Sequence, residues 1–216
     1  MSVAPLWAPL APLFAPLFSL WGSPVTPAEL VACALSVVMV LCNLVVNPTG
    51  WPLAIASSAL YLLLFAHSRL YGEAALQVFF IVVSGWGWWQ WLRASGADGA
   101  PLRVHRLGAR ARLRAAILTL AAWPLLGLLL ARVTDTDVPF LDALPTVGSV
   151  TGQFLLGRKL LENWPVWLAV NLWSIGLFAY KGLWLTVALY AAFAVLSVAG
   201  WRAWLSILAA RSGTRP

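Results

Sequence analysis

Charge is scarce in this chain. Asp, Glu, Lys and Arg make up only 10% of its 216 residues, where a soluble domain carries about 25%. Set beside 62% hydrophobic residues, that shortage excludes an ordinary water-soluble fold. Acidic residues are the rarer sign, 7 against 14 basic ones, for a net charge of +7. The basic residues fall between apolar runs, so orientation in a bilayer explains the imbalance and no nucleic-acid partner is expected. The two cysteines, Cys33 and Cys42, lie in one expected helix, about 13.5 Å apart along its axis and on opposite faces, and cannot pair with each other. No CxxC, HExxH, Walker or Rossmann pattern is present, which leaves metal, ATP and dinucleotide sites without support, and no cofactor is expected. Alternating ten-residue segments are also missing, which argues against a membrane barrel.

What is present is a series of helix-length apolar runs. Residues 1–27 form an apolar N-terminal segment whose Pro5, Pro9, Pro12 and Pro16 oppose a straight span, since each interior proline costs a helix about 3 kcal/mol. An interfacial segment and a loosely packed extra helix are both consistent with it. Seven spans follow, at about 28–46, 51–66, 72–92, 115–131, 139–157, 163–180 and 183–206. The span at 139–157 is rich in small and polar residues, from Thr146 to Gln153, and is expected inside the bundle rather than against lipid. This divides the chain into a three-helix repeat at 28–92, a basic loop and connector helix at 93–138, a second three-helix repeat at 139–206 and a tail at 207–216. The side holding the 93–114 loop, Arg158, Lys159, Arg202, Arg211 and Arg215 has eleven basic residues, and the other has Arg69, Arg132 and Lys181. That places the C-terminus in the cytoplasm.

The two repeats share landmarks. Trp51-Pro52 and Phe65-Ala66 recur as Trp164-Pro165 and Phe178-Ala179, 113 positions later. Gly85-Trp86-x-x-Trp89 matches Gly200-Trp201-x-x-Trp204 at 115 positions, which calls for a two-residue insertion between helices. With one connector helix between them, the repeats run parallel. That is a transporter architecture with its substrate near the midplane where the halves meet.

One stretch carries the chemistry. Trp164, Trp167 and Asn171 stack on one face of an apolar helix, and an amide at membrane depth needs either a protein partner or a cavity. Gln77 with Ser84 on the third span, Gln90 and Trp86 in the tryptophan cluster, and Tyr190 on the seventh are further candidates. For each, packing or an aromatic belt is the competing role. Asn43 reads as structural and Asp142 as a helix cap. No ionisable residue falls at the middle of any span, so coupling to protons or ions is not expected. Indoles and amides without a formal charge suit a flat neutral or cationic solute, with cation–π contacts of about 0.5–2 kcal/mol each. An intramembrane enzyme would need a nucleophile, an acid–base pair or a metal set at depth. A pure structural subunit would leave Asn171 and Gln77 bonded only to protein.

On Leu76-Gln-Val-Phe-Phe80, Gly85-Trp-Gly-Trp-Trp-Gln-Trp91, Asp142-Ala143, Arg158-Lys159, Glu162-Asn-Trp164, Trp167, Asn171, Lys181-Gly182, Tyr190 and Gly200 with Trp204, the chain resembles the PnuC family of bacterial vitamin transporters over about residues 29–206. The resemblance implies an all-α, polytopic 3+1+3 fold like that of the SWEET sugar transporters, in the bacterial inner membrane, with trimerisation. It also implies facilitated diffusion of nicotinamide riboside by alternating access, with trapping by a cytoplasmic kinase. Trp164, Trp167 and Asn171 match the family's substrate-binding motif. Thiamine, also an aromatic cation, is the alternative solute, and riboflavin and deoxynucleosides are carried by relatives.

Overall fold

The structure, a computed structural model, describes residues 10–20, 22–67, 71–95, 101–134, 138–180, 182 and 184–213. Pro5 and Pro9 of the N-terminal segment, Arg69, Asp135, Asp137, Lys181 and Arg215 lie outside the described residues. Among the described residues between 10 and 25 there is no continuous helix. A single turn, α1 (Ala11–Phe14), leads into a two-stranded antiparallel hairpin, β1 (Phe18–Leu20) with β2 (Ser23–Val25). Pro12 and Pro16 account for the break, since neither supplies a backbone N–H to a helix ladder.

Among the described residues seven long helices follow: α2 (Pro27–Leu44), α3 (Gly50–His67), α4 (Tyr71–Arg93), α5 (Ala109–Val133), α6 (Pro139–Gly157), α7 (Asn163–Tyr180) and α8 (Trp184–Ser212). Among the described residues, Pro27–Leu44, Gly50–His67, Ala109–Val133 and Thr186–Arg211 are long and apolar enough to cross a membrane on composition alone. Large apolar side chains such as Val82, Leu118, Leu125 and Val195 point outward, each more than 60% exposed. That is the surface of a protein whose solvent is lipid. The start of α2 obeys capping chemistry: the Thr26 hydroxyl accepts from Glu29 N at 3.2 Å, and Pro27 occupies its first turn.

Two helix ends run past the apolar runs. The span expected at 115–131 is a helix from Ala109, and the one at 183–206 continues to Ser212. Arginine is a good helix former, so Arg110, Arg112, Arg114 and Arg211 extend the helices while staying exposed. Hydropathy marks the lipid border rather than the last hydrogen-bonded turn.

The chain divides into two compact units, residues 1–88 and 89–216. In the first, Ser57 Oγ of α3 meets Ser36 Oγ and the Ala32 carbonyl of α2, each at 2.8 Å, while Ser36 Oγ also bonds Ala32 O within α2 at 2.9 Å, the polar adhesive of membrane helices. The Phe14 ring stacks on His67, 4.6 Å between centroids, which covers the end of α3. In the second, α5 meets α6 through Thr119–Thr151 at 2.8 Å and through Trp123 Nε1, which donates to the Phe140 carbonyl at 2.7 Å. Gly127 leaves room there for the Phe140 ring. α6 buries the face that carries Ala143, Val147, Gly148, Gly152, Gln153 and Leu155, whereas Phe140, Leu141, Val150 and Phe154 are exposed, so the small residues its composition offered lie inward on one side only.

The turns that open α3 and α7 are built alike. Val46 N bonds Asn43 O at 3.2 Å and Asn47 N bonds Cys42 O at 2.9 Å; 113 positions on, Lys159 N bonds Leu156 O at 2.9 Å and Leu160 N bonds Leu155 O at 3.0 Å. Each pair is a Schellman closure, and its left-handed residue is Val46 (φ 56°) or Lys159 (φ 53°) where glycine is usual. The next contact repeats too. A Cβ on Gly87 would enter the Trp51 ring, and one on Gly200 would enter the Trp164 ring, while Gly85 has open space around it. The glycine matching Gly200 is therefore Gly87, not Gly85. The repeat keeps one offset of 113 throughout, and the two-residue insertion expected from Gly85-Trp86 is not needed. Gly87-Trp88-x-x-Trp91 aligns with Gly200-Trp201-x-x-Trp204, and the closing tryptophans, Trp91 and Trp204, are both buried.

Candidate substrate site

α7 is fixed on two sides within the second unit. Toward α6, Gly148 admits Val170, Gly152 admits the Trp167 ring, and Trp173 Nε1 donates to the Leu141 carbonyl at 3.0 Å. Toward α8, contacts fall at regular antiparallel spacing. Trp164 sits against Gly200 and edge-on to Trp204 at 5.5 Å, Asn171 Nδ2 donates to Ser197 Oγ at 3.1 Å, and Phe178 packs on Tyr190 at 5.1 Å. The helical period therefore places Trp164, Asn171 and Phe178 along one seam, with Ser174 buried beside Asn171.

The expected site residues occupy different surroundings. Asn171 is 4% exposed, and among the described residues its amide meets Ser197 alone. Trp167 is half-buried, its indole edge facing Gly152 at about 3 Å from where a Cβ would stand. Trp164 is buried, and its indole N–H has no acceptor among the described residues. Tyr190 is half-buried between Phe178 and Phe193. Gln90 is half-buried and makes no side-chain hydrogen bond among the described residues. In the first unit, Gln77 is likewise half-buried without such a bond, and Trp86 is half-buried. Asn43 is buried at its turn, donating to Met39 Sδ at 3.1 Å.

The tryptophan cluster separates by depth. Trp88 and Trp89 are exposed, as a belt would be, whereas Trp91 is buried and donates to the Leu156 carbonyl at 3.0 Å. Lys159 Nζ lies over the Trp91 ring, 4.9 Å from its centroid, and donates to Leu102 O at 3.0 Å. Burial, and then the nearby Arg211, push the Lys159 pKa below its usual 10.5. Residues 101–107 lie as a strap along this turn. His105 N donates to Lys159 O, Leu161 N donates to His105 O, and Arg211 Nη1 reaches Val104 O at 3.3 Å. Both Glu162 oxygens accept from Leu107 N at 3.1 Å, and Arg112 Nε stands 3.6 Å from the same carboxylate.

Ser197 and this strap are the features around the candidate site that sequence reasoning missed. Ser197 had a signal: at the constant offset of 113 it is the counterpart of Ser84, also buried, and only the misplaced two-residue slip hid it. The strap had none, because its bonds are mostly to backbone. Among the described residues no group of three His, Cys, Asp or Glu side chains could hold a metal ion.

A family profile described as nicotinamide mononucleotide transporter matches residues 26–206. The chain is 25% identical over 174 residues to the nicotinamide riboside transporter PnuC of Escherichia coli, a match covering 68% of this chain and 72% of that one. It is 28% identical over 173 residues to the riboflavin/roseoflavin transporter RibM of Streptomyces davaonensis, covering 77% and 78%. Among solved structures, that of the vitamin B3 transporter PnuC superposes with a TM-score of 0.68 at 21% identity, covering 84% of this chain and 81% of the other, and shares its fold. The family and these relatives are transporters rather than enzymes. By this match over most of its length, the chain is a multi-pass membrane protein belonging to the nicotinamide mononucleotide transporter family.

Proposed function

We propose that the chain carries nicotinamide riboside down its gradient by alternating access, with Asn171 and Trp167 as the principal contacts and Trp164 closing the cytoplasmic end of their face. The carrying observation is Asn171, an amide enclosed in a mostly apolar helix whose oxygen meets no donor among the described residues. A ligand donor would satisfy it, and the Trp167 ring one turn away offers a face to a pyridinium at about 0.5–2 kcal/mol. Tyr190 and Gln90 are proposed as further contacts in the same unit, and Gln77 and Trp86 are proposed separately in the first. α7 carries no Lys or Arg, so a phosphate would lie unneutralised; the unphosphorylated nucleoside is therefore preferred over the mononucleotide. A cytoplasmic kinase would then trap the solute. Lys159, Arg211 and Arg112 gather at one end of the second unit, which supports a cytoplasmic C-terminus. The resemblance supports a homotrimer in the bacterial inner membrane.

The test is uptake into proteoliposomes. Asn171→Leu is expected to abolish transport while the protein still folds, and normal uptake would remove Asn171 from the site. Uptake is also expected to persist when an ionophore collapses the proton gradient; its loss, with the solute gradient kept, would contradict uncoupled transport. Riboflavin is a second reading because RibM is matched over 78% of its length, and thiamine is a third on charge alone. A binding screen of the three against purified protein chooses among them.

A further inference from the structure

We infer that Ser197 sets which end of the Asn171 amide faces the solute, so that this position accepts a hydrogen bond and selects ligands bearing an N–H group. The inference rests on Asn171 being a substrate contact. Ser197 is 3% exposed, and its single hydroxyl proton is engaged: Oγ donates to the Phe193 carbonyl, one turn back on α8, at 2.8 Å. Only lone pairs remain for a neighbour. Asn171 must answer with its NH₂, and Nδ2 donates to Oγ at 3.1 Å. The identity of the two amide ends follows from this chain of donors. Turning the amide over would force the serine proton away from Phe193, and the loss of one hydrogen bond is a bias of about tenfold.

What is left is Oδ1. No described residue donates to it, and it is not sealed from solvent, although Asn171 as a whole is only 4% exposed. An acceptor held in a mostly apolar setting discriminates strongly, because a ligand without a donor leaves it unpaired. A primary amide or a ring imide satisfies it. A ketone or ester of the same shape does not, and a carboxylate adds lone-pair repulsion and a buried charge. Ser197 is thus a positioning residue, and the selection it enforces is for the amide over its isosteres.

The measurement is a ratio of binding constants on the purified full-length protein. Nicotinamide riboside is compared with 3-acetylpyridine riboside, which replaces NH₂ by CH₃ without adding charge. Riboflavin is compared with its N3-methyl derivative in the same way, which covers a chain that binds a flavin instead. The unaltered protein is expected to prefer the N–H form by about tenfold or more. Ser197→Ala frees the amide to present either end, so the preference is expected to fall severalfold, and Ser197→Thr, which keeps the hydroxyl, should restore it. No preference in the unaltered protein overturns the inference without recourse to any variant, as does a full preference in Ser197→Ala. If Asn171→Leu binds normally, or no member of either pair binds, the site itself is misassigned. If Asn171→Leu fails to bind while Ser197→Ala keeps its ratio, only the role of Ser197 is lost.

Discussion

The turn before Trp51 and the turn before Trp164 share their backbone hydrogen bonds, their left-handed residue and the glycine that receives the indole, yet they differ in nearly every polar side chain. Where the first has Val46, Thr49 and Gly50, the second has Lys159, Glu162 and Asn163. Thr49 bonds within its own turn, to Asn47 Oδ1 at 2.9 Å, while Glu162 reaches the backbone of Leu107, 55 residues away. Further along, Ser58 stands where the second copy has Asn171. What the copies share builds a helix pair, and what they do not share is charge and side-chain hydrogen bonding.

The largest effects should come from breaking the shared part. Gly200→Ala and Gly87→Ala each drive a methyl into a buried indole, and each is expected to lower stability by about 1–3 kcal/mol through overpacking, less what alanine returns in helix propensity. Thermal melts in detergent would show the two losses to be similar if the copies are mechanically equivalent. Next comes the unshared carboxylate. Glu162→Gln should weaken the strap by about 1 kcal/mol and speed trypsin cleavage at Arg103 and Arg106, whereas Thr49→Ala should leave that cleavage unchanged.

A finer comparison uses the left-handed residues. Val46→Gly relieves a β-branched residue at φ 56° and is expected to raise stability by up to about 1 kcal/mol. Lys159→Gly relieves the same strain but loses the Leu102 bond and the Trp91 contact, so its melting temperature should not rise. The smallest effect is in pH. Because burial lowers the Lys159 pKa from 10.5, the unfolded chain holds more protons just below that value. The cost of burying the charge is therefore full at neutral pH and declines as pH rises through the folded pKa toward 10.5. Melting temperatures of the natural protein relative to Lys159→Met should shift upward over that window.

Much of this fold was legible because lipid imposes a simple rule: long apolar runs, punctuated by Pro, Gly and Arg, must be helices. The seven runs and the duplicated Trp-Pro openings needed nothing more. The helix ends at Ala109 and Ser212 were not legible, since arginine is at home both in a helix and outside the membrane. The register of the repeat was misread at Gly85 because two Gly-Trp pairs stand two residues apart, and only the space beside each glycine tells which one an indole fills. At the proposed site, Asn171 announced itself as an amide among leucines and valines. Ser197 did not, because serine is common in such helices and its meaning lies in where its proton goes.

The strap also sets an order of events during synthesis. Leu107 leaves the ribosome 55 residues before the carboxylate that will hold it, and Val104 precedes Arg211 by 107. Until translation has passed residue 162, residues 101–107 lack Lys159, Leu161 and Glu162 to close upon, and Arg211, at the end of α8, adds its bond to Val104 only later still.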